Sequence, residues 1–277
     1  MTYCQTCGAE CSRTTTTLTK TGHDYSVTTT AATCTKDGKK VYTCKTCGDT
    51  YSETIKATGH TVEKDAAVEA TYTATGLTEG SHCSVCKEVL VAQTVVAKKT
   101  LAKPVITAEN AANGITISWN RVADATGYLV YRGSTKVATI KSGNTLSYTD
   151  TGASKNGTTY TFKVYAYVGS TSVKSSASAK VSCCFLTRPT VTVTSTSKGA
   201  ITVKWGKNST ATGYKIKYTI NGVTKTVTVK GAANVSKKIS SLKKKASCKV
   251  YVRAYKTVSG VTYYSKFSAA KTVTVKG

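Results

Sequence analysis

The sequence predicts an all-β protein, with small cysteine-stapled hairpin repeats over residues 1–99 followed by two β-sandwiches over 103–184 and 187–277. Three observations carry this. Thr, Ser, Val, Lys and Tyr dominate while there are only 2 Pro, 1 Met and 3 Phe, and β-branched and aromatic residues favour strands over helices. Cys-x-x-Cys pairs recur at a fixed period in the first third. Two later segments align with each other in apolar–polar alternation, the signature of strands with one buried face. A hydrophobic content of 40% over 277 residues supports two or three small cores rather than one large one.

The pairs Cys4-x-x-Cys7, Cys44-x-x-Cys47 and Cys83-x-x-Cys86 recur at intervals of 40 and 39 residues, which reads as an internal repeat. Thr21-Gly22-His23 recurs as Thr58-Gly59-His60, and Ala32-Thr33-Cys34-Thr35-x-x-Gly38 as Ala70-Thr71-Tyr72-Thr73-x-x-Gly76. Each unit runs Gly-His, spacer, short hairpin, cysteine knuckle, strand, with Gly38 and Gly76 expected in the hairpin turns.

Dense cysteine in a loop-rich segment means disulfides in an oxidising compartment or metal in a reducing one, and both readings have candidates. Cys34, Cys44 and Cys47 with His60 could give a tetrahedral zinc site, with His23 at the other end of the same unit. Against it, Cys11 and Cys34 are lost together, as Tyr51 and Tyr72, in the following repeat positions. Cysteines lost as a pair behave like disulfide partners, which favours a Cys11–Cys34 bridge; Cys44, Cys47, Cys83 and Cys86 are the further disulfide candidates. His23, His60 and His82 read first as turn or surface residues. No cofactor is expected beyond that structural zinc.

These residues resemble a module of large surface proteins from anaerobic Gram-positive, Clostridia-like bacteria, including the tail Leu90-Val91-Ala92-Gln93. The resemblance covers residues 1 to 99 and implies a component of adhesins.

Lys98-Lys99-Thr100-Leu101-Ala102-Lys103-Pro104 reads as a linker. Beyond it, Ile115-Thr-Ile117-Ser-Trp119 matches Ile201-Thr-Val203-Lys-Trp205, Ala125-Thr-Gly-Tyr128 matches Ala211-Thr-Gly-Tyr214, and the strand from Tyr160 to Tyr167 matches that from Cys248 to Tyr255. A tryptophan on an early strand, a Gly-Tyr strand after it and an aromatic late strand resemble the fibronectin type III domain, a seven-strand sandwich. The resemblance covers residues 103 to 277 and places Tyr160 where a hydroxyl ties back to the preceding loop. Cys248 stands there in the second copy, where it reads as a small buried apolar residue. Cys183 and Cys184 fall at the junction, too far along the fold to bridge to it.

Charge is the other strong signal. Residues after Asp150 hold 23 of the 39 Lys and Arg and none of the 13 Asp and Glu. Without carboxylates the second sandwich has no general base and no calcium ligand, and no Gly-rich phosphate loop or nucleophile motif occurs. The chain is therefore expected not to be an enzyme. Nor is there a recognition helix or aromatic RNA-binding signature for nucleic acid.

Alternation puts Tyr214, Ile216, Tyr218, Val250, Val252 and Ala254 inward, and so Lys215, Lys217, Lys249, Tyr251, Arg253 and Tyr255 outward. This basic, tyrosine-bearing face suits an anionic cell-wall polymer or a host glycan or glycoprotein, giving carbohydrate binding by an adhesin. The same positions of the first sandwich, Leu129, Tyr131, Tyr165 and Tyr167, suit a protein contact. A purely structural stalk is the plainer alternative.

No stretch approaches the roughly 20 apolar residues needed to cross a bilayer, and neither a signal peptide nor a surface anchor is apparent. The expectation is a fragment of a longer secreted or cell-surface protein.

Overall fold

The computed structural model describes residues 2–12 and 22–277, with the side chains at 2, 11 and 12 outside the description. Every regular element among them is a strand. The chain forms two compact units, Met1–Ala70 with Thr75–Ala97, and Lys98–Gly277 with Thr71–Ala74.

In the first unit β1 (Thr2–Tyr3) pairs with β2 (Glu10–Ser12), and β3 (Tyr25–Thr30), β4 (Gly38–Cys44) and β5 (Thr50–Ile55) form an antiparallel sheet. A second sheet contains β6 (Val62–Asp65), β8 (Gly80–Cys83) and β9 (Val89–Val91), while β7 (Gly76–Leu77) pairs with β10 (Val95–Val96). The three cysteine knuckles are built alike. The first cysteine donates its N–H to the carbonyl five residues on, at 2.9 Å for Cys4 to Ala9 and 2.8 Å for Cys44 to Asp49 and Cys83 to Glu88. Its own carbonyl accepts the N–H of the residue four on, Gly8, Gly48 or Lys87. That residue is left-handed, with φ of 71°, 75° and 64°.

Gly38 and Gly76 serve differently from the turn role expected of them. Both are buried and lack positive φ. A Cβ on Gly38 would collide with the Ala32 backbone nitrogen, and one on Gly76 with the Val68 carbonyl. Close backbone approach, not turn conformation, calls for glycine at both.

The second unit holds two sandwiches of one design. In the first, β11 (Ile106–Asn110), β12 (Ile115–Trp119) and β15 (Ser147–Asp150) face a sheet ordered β14 (Thr135–Ile140), β13 (Gly127–Arg132), β16 (Thr159–Val168), with β17 (Ser170–Lys174) and β18 (Val181–Cys184) both pairing with β16. In the second, β19 (Val191–Thr194), β20 (Ile201–Trp205) and β23 (Ser236–Ile239) face β22 (Val223–Lys230), β21 (Gly213–Ile220) and β24 (Ser247–Val258), which carries β25 (Val261–Tyr264) and β26 (Lys271–Thr274). This three-against-four arrangement, with the last strand split in two, is fibronectin type III-like.

Serines stitch each split. Val164 and Ala166 donate their N–H groups to Ser178 and Ser175 Oγ at 2.9 and 3.1 Å, and Val252 and Ala254 donate to Ser268 and Ser265 Oγ at 3.0 Å each. Each serine returns its own N–H to the same residue's carbonyl. A buried central strand thus keeps its polar groups paired where the ladder is interrupted.

The cores match as the alternation predicts. Tyr214, Ile216, Tyr218, Val250, Val252 and Ala254 are all buried around Trp205, as Tyr128, Val130, Phe162, Val164 and Ala166 are around Trp119. Tyr160 accepts the Lys155 N–H on its hydroxyl at 3.3 Å, whereas Cys248 is fully buried.

The two sandwiches share a packed junction. Buried Asn110 donates to the carbonyls of Cys184 (2.8 Å) and Tyr264 (3.0 Å) and accepts the Leu186 N–H (2.8 Å). Lys266 pairs with Glu109 at 2.8 Å, and Lys256 donates to the Gly157 carbonyl at 2.8 Å.

Candidate functional site

Two side-chain constellations bring chemistry together. In the first unit, Cys34, His60, Cys83 and Cys86 converge, with one ligand atom from each lying within 4.8 Å of the others. Cys34 Sγ stands 3.7 Å from Cys83 Sγ, and Cys86 Sγ 3.4 Å from His60 Nδ1. The backbone explains the approach: Gly59 N–H donates to the Cys34 carbonyl and Thr58 N–H to the Thr33 carbonyl, so the Gly-His segment is laid beside Cys34. A second group joins His23, Cys44 and Cys47, with Cys47 Sγ 3.3 Å from His23 Nδ1.

The set Cys34, Cys44, Cys47 and His60 expected from the sequence is therefore divided between two clusters. Cys34 turns away from the knuckle that follows it and meets the next one. Cys34, Cys44, Cys47, Cys83 and Cys86 all carry free thiols, while the side chain of Cys11, the partner the sequence suggested for Cys34, lies outside the described residues. His82 belongs to neither cluster and contacts Asp65 at 2.8 Å.

The knuckles favour thiolate at their first cysteine. Cys83 is drawn down to about 5, chiefly by the Cys86 backbone N–H with His60 assisting, and Cys44 to about 6 by the Cys47 N–H and then His23. Cys4 falls to about 7 through the N–H groups of Thr6 and Cys7. Burial, reinforced by Cys86 and Cys83, pushes Cys34 the other way, to about 11. Cysteine sulfur and histidine nitrogen at these spacings suit a soft divalent cation.

The second constellation covers the outer face of the second sandwich. Lys215, Lys217, Lys249, Tyr251 and Arg253 lie there, but as a stack rather than a set of free groups. Lys215 sits 5.0 Å from the Tyr264 ring centre, Arg253 3.9 Å from Tyr264 and 4.6 Å from Phe267, Lys217 4.6 Å from Phe267 and 4.7 Å from Tyr251, and Lys249 5.7 Å from Tyr251. Four cations thus alternate with three rings in one chain of contacts. Arg253 Nε is buried without a hydrogen-bond partner among the described residues, so its guanidinium leans on π-faces instead.

Tyr255 and Tyr167 are not displayed as expected; both are buried. Each lies directly opposite a glycine, Gly213 or Gly127, on the neighbouring strand. The ring lies over the glycine: a Cβ on Gly213 would collide with the Val229 carbonyl oxygen and press on the Tyr255 hydroxyl at 2.8 Å. Leu129, flanked by Tyr165 and Thr139, is buried too. Only Tyr131 and Tyr165 of the first face remain accessible, and Lys163 covers both rings, at 5.4 and 5.6 Å.

Sequence reasoning missed the two rings that complete the ladder, Tyr264 and Phe267. Their signal was the run Tyr264-Ser265-Lys266-Phe267-Ser268, in which each serine bonds to the central strand and is preceded by one of the two aromatics.

No family model matches the chain, and no curated protein matches it. Among solved structures it is similar to the FN1–FN3 domains of chicken CNTN1, at 14% identity and a TM-score of 0.36, covering 92% of this chain and 100% of that one. It is also similar to a two-domain fibronectin type III segment of chicken tenascin, at 19% identity and a TM-score of 0.32, covering 63% of this chain and 100% of that one. Strand order and register within each sandwich carry the fold assignment.

Proposed function

We propose that the chain is a non-catalytic, extracellular adhesion or scaffold segment whose second sandwich binds an anionic cell-wall polymer or host glycan. The observation that carries this reading is the ladder of Lys215, Arg253, Lys217 and Lys249 on three aromatic rings, in a domain with no carboxylate side chain. Stacking fixes the cations in a row before any ligand arrives, which lowers the ordering cost of binding. A flexible polyanion running along the strand direction could meet successive charges.

In this reading the acids of the sandwiches are structural: Asp150 is paired to Arg132 at 2.9 Å, Glu109 to Lys266 at 2.8 Å, and Asp124 accepts the Tyr72 hydroxyl at 2.7 Å.

The test is retention of residues 1–277 on immobilised heparin and on purified Gram-positive cell wall across a salt gradient. Changing Lys215, Lys217 and Lys249 to Gln should move elution to markedly lower salt, because each lost phosphate- or sulfate-type contact lowers the salt dependence. Elution unchanged from the original chain rejects the face. A rigid spacer is the second reading, favoured by the hydrogen-bonded junction at Asn110; absence of retention on either material even at low salt would select it.

A further inference from the structure

The geometry points to a zinc site made by Cys34, His60, Cys83 and Cys86 that fastens one hairpin repeat to the next. All four residues belong to the first unit, and the inference does not depend on the reading of the second sandwich.

Four ligands of the types zinc prefers converge from three places: Cys34 from the loop before β4, His60 from the Gly-His segment, and Cys83 and Cys86 from the knuckle after β8. Sulfurs bound at about 2.3 Å to one tetrahedral ion stand about 3.8 Å apart, and a sulfur and an imidazole nitrogen about 3.5 Å apart. The structure has 3.7 Å for Cys34 to Cys83 and 3.4 Å for Cys86 to His60 Nδ1. A disulfide would need about 2.0 Å between sulfurs.

Two further observations support the assignment. The histidine–cysteine pair recurs in the neighbouring repeat, where Cys47 and His23 Nδ1 are 3.3 Å apart, so the geometry belongs to the repeat rather than to one accidental contact. In addition, His60 turns its other nitrogen, Nε2, toward the Glu88 carboxylate at 3.5 Å. A carboxylate on the far nitrogen of a ligating histidine fixes its tautomer and strengthens its donation.

The consequence is connectivity. β3, β4 and β5 share no strand pairing with β6, β8 and β9, yet Cys34 and Cys83 are 49 residues apart in sequence and meet at the cluster. A metal here joins two sheets too small to bury a core of their own. Loading requires three thiolates and a neutral imidazole, so zinc binding releases whatever protons the three thiols and His60 still carry.

The experiment uses the whole reduced chain in a Cys44→Ser/Cys47→Ser background, which removes the His23 cluster. After dialysis against chelator, it is titrated with Co²⁺ and then Zn²⁺. We expect one equivalent of cobalt to give the intense visible and thiolate-to-metal bands of a tetrahedral site, and zinc to abolish them. Adding Cys34→Ser should weaken zinc binding about 100-fold or more, Glu88→Gln about 10-fold, and His82→Gln not at all. Cobalt bands and affinity unchanged by Cys34→Ser would overturn the proposal.

A second measurement needs no variant. In the zinc-loaded original chain, mass-mapped alkylation should find Cys34, Cys83 and Cys86 protected together and released together by chelator. Cys34 alkylating equally fast with and without zinc, or recovered from native protein in a disulfide, would equally defeat the assignment.

Discussion

The Arg253 guanidinium lies 3.9 Å from the centre of the Tyr264 ring. That contact joins the middle of β24 to the end of β25 and sets the order of the whole ladder. In a double-mutant cycle, Arg253→Ala and Tyr264→Ala should show a coupling of about 0.5–2 kcal/mol by urea unfolding. Additive effects would mean that the stack contributes nothing beyond packing.

Gly213 and Tyr255 form a second such pair. Gly213→Ala should destabilise the second sandwich by about 1–3 kcal/mol, since the new methyl would collide with the Val229 carbonyl oxygen and also press on the Tyr255 ring. Combining it with Tyr255→Ala should recover part of the loss. The check is thermal unfolding of the single and double variants, and a strictly additive double would contradict the ring contact.

The serine stitches make a sharper claim about backbone polarity. Ser265→Ala and Ser268→Ala each leave a buried N–H, of Ala254 or Val252, without its side-chain acceptor. Each should cost about 1–3 kcal/mol, while Thr272→Ala on the exposed part of β26 should stay within about 0.5 kcal/mol. Equal effects at the three positions would rule out the stitch.

Lys87 occupies the left-handed position that Gly8 and Gly48 hold in the other knuckles, with φ of 64°. Lys87→Gly should therefore stabilise its repeat by up to about 1 kcal/mol, and Gly48→Lys should cost a similar amount in its own. Hydrogen exchange of the Cys83 and Cys44 amides reports each knuckle separately. Faster exchange at Cys83 after Lys87→Gly would refute the strain.

Burial first, then the charges of Cys184 and Glu109, raise the Cys183 thiol from 9.0 to about 12. Folding thus retains a proton that the unfolded chain releases. The sign follows: between about pH 9 and about pH 12 the folded state binds more protons, so stability falls as pH rises through that window and is unaffected below it. Urea midpoints at about pH 8 and about pH 10.5 should diverge less in Cys183→Ala than in the original chain. An identical pH slope in both would show that Cys183 is not responsible.

Much of the fold could be read from period and repetition. Tyr214, Ile216 and Tyr218 alternate with lysines, and only one register buries the apolar set. Alternation gives the side of a sheet but not the depth, which is why Tyr167 and Tyr255 misled: their burial depends on which residue faces them across the strand gap, and that residue is glycine. The cysteine clusters escaped for a related reason. Cys34 lies 10 residues before Cys44 but meets Cys83, because hairpin folding and the Gly59–Cys34 backbone bond, neither visible as spacing, decide which knuckle it reaches. For Tyr264 and Phe267 the residues were in view, and what was lacking was the split of the last strand that sets them beside Arg253.

Asn110 is where the two sandwiches meet, and its side chain holds three backbone groups from both sides of the join. With Lys266 on Glu109 and Lys256 on the Gly157 carbonyl, bending there would strip partners from a buried amide. Tension applied along the chain should consequently pass through the pair as through one stiff beam, leaving extension to be taken up elsewhere before either sandwich yields.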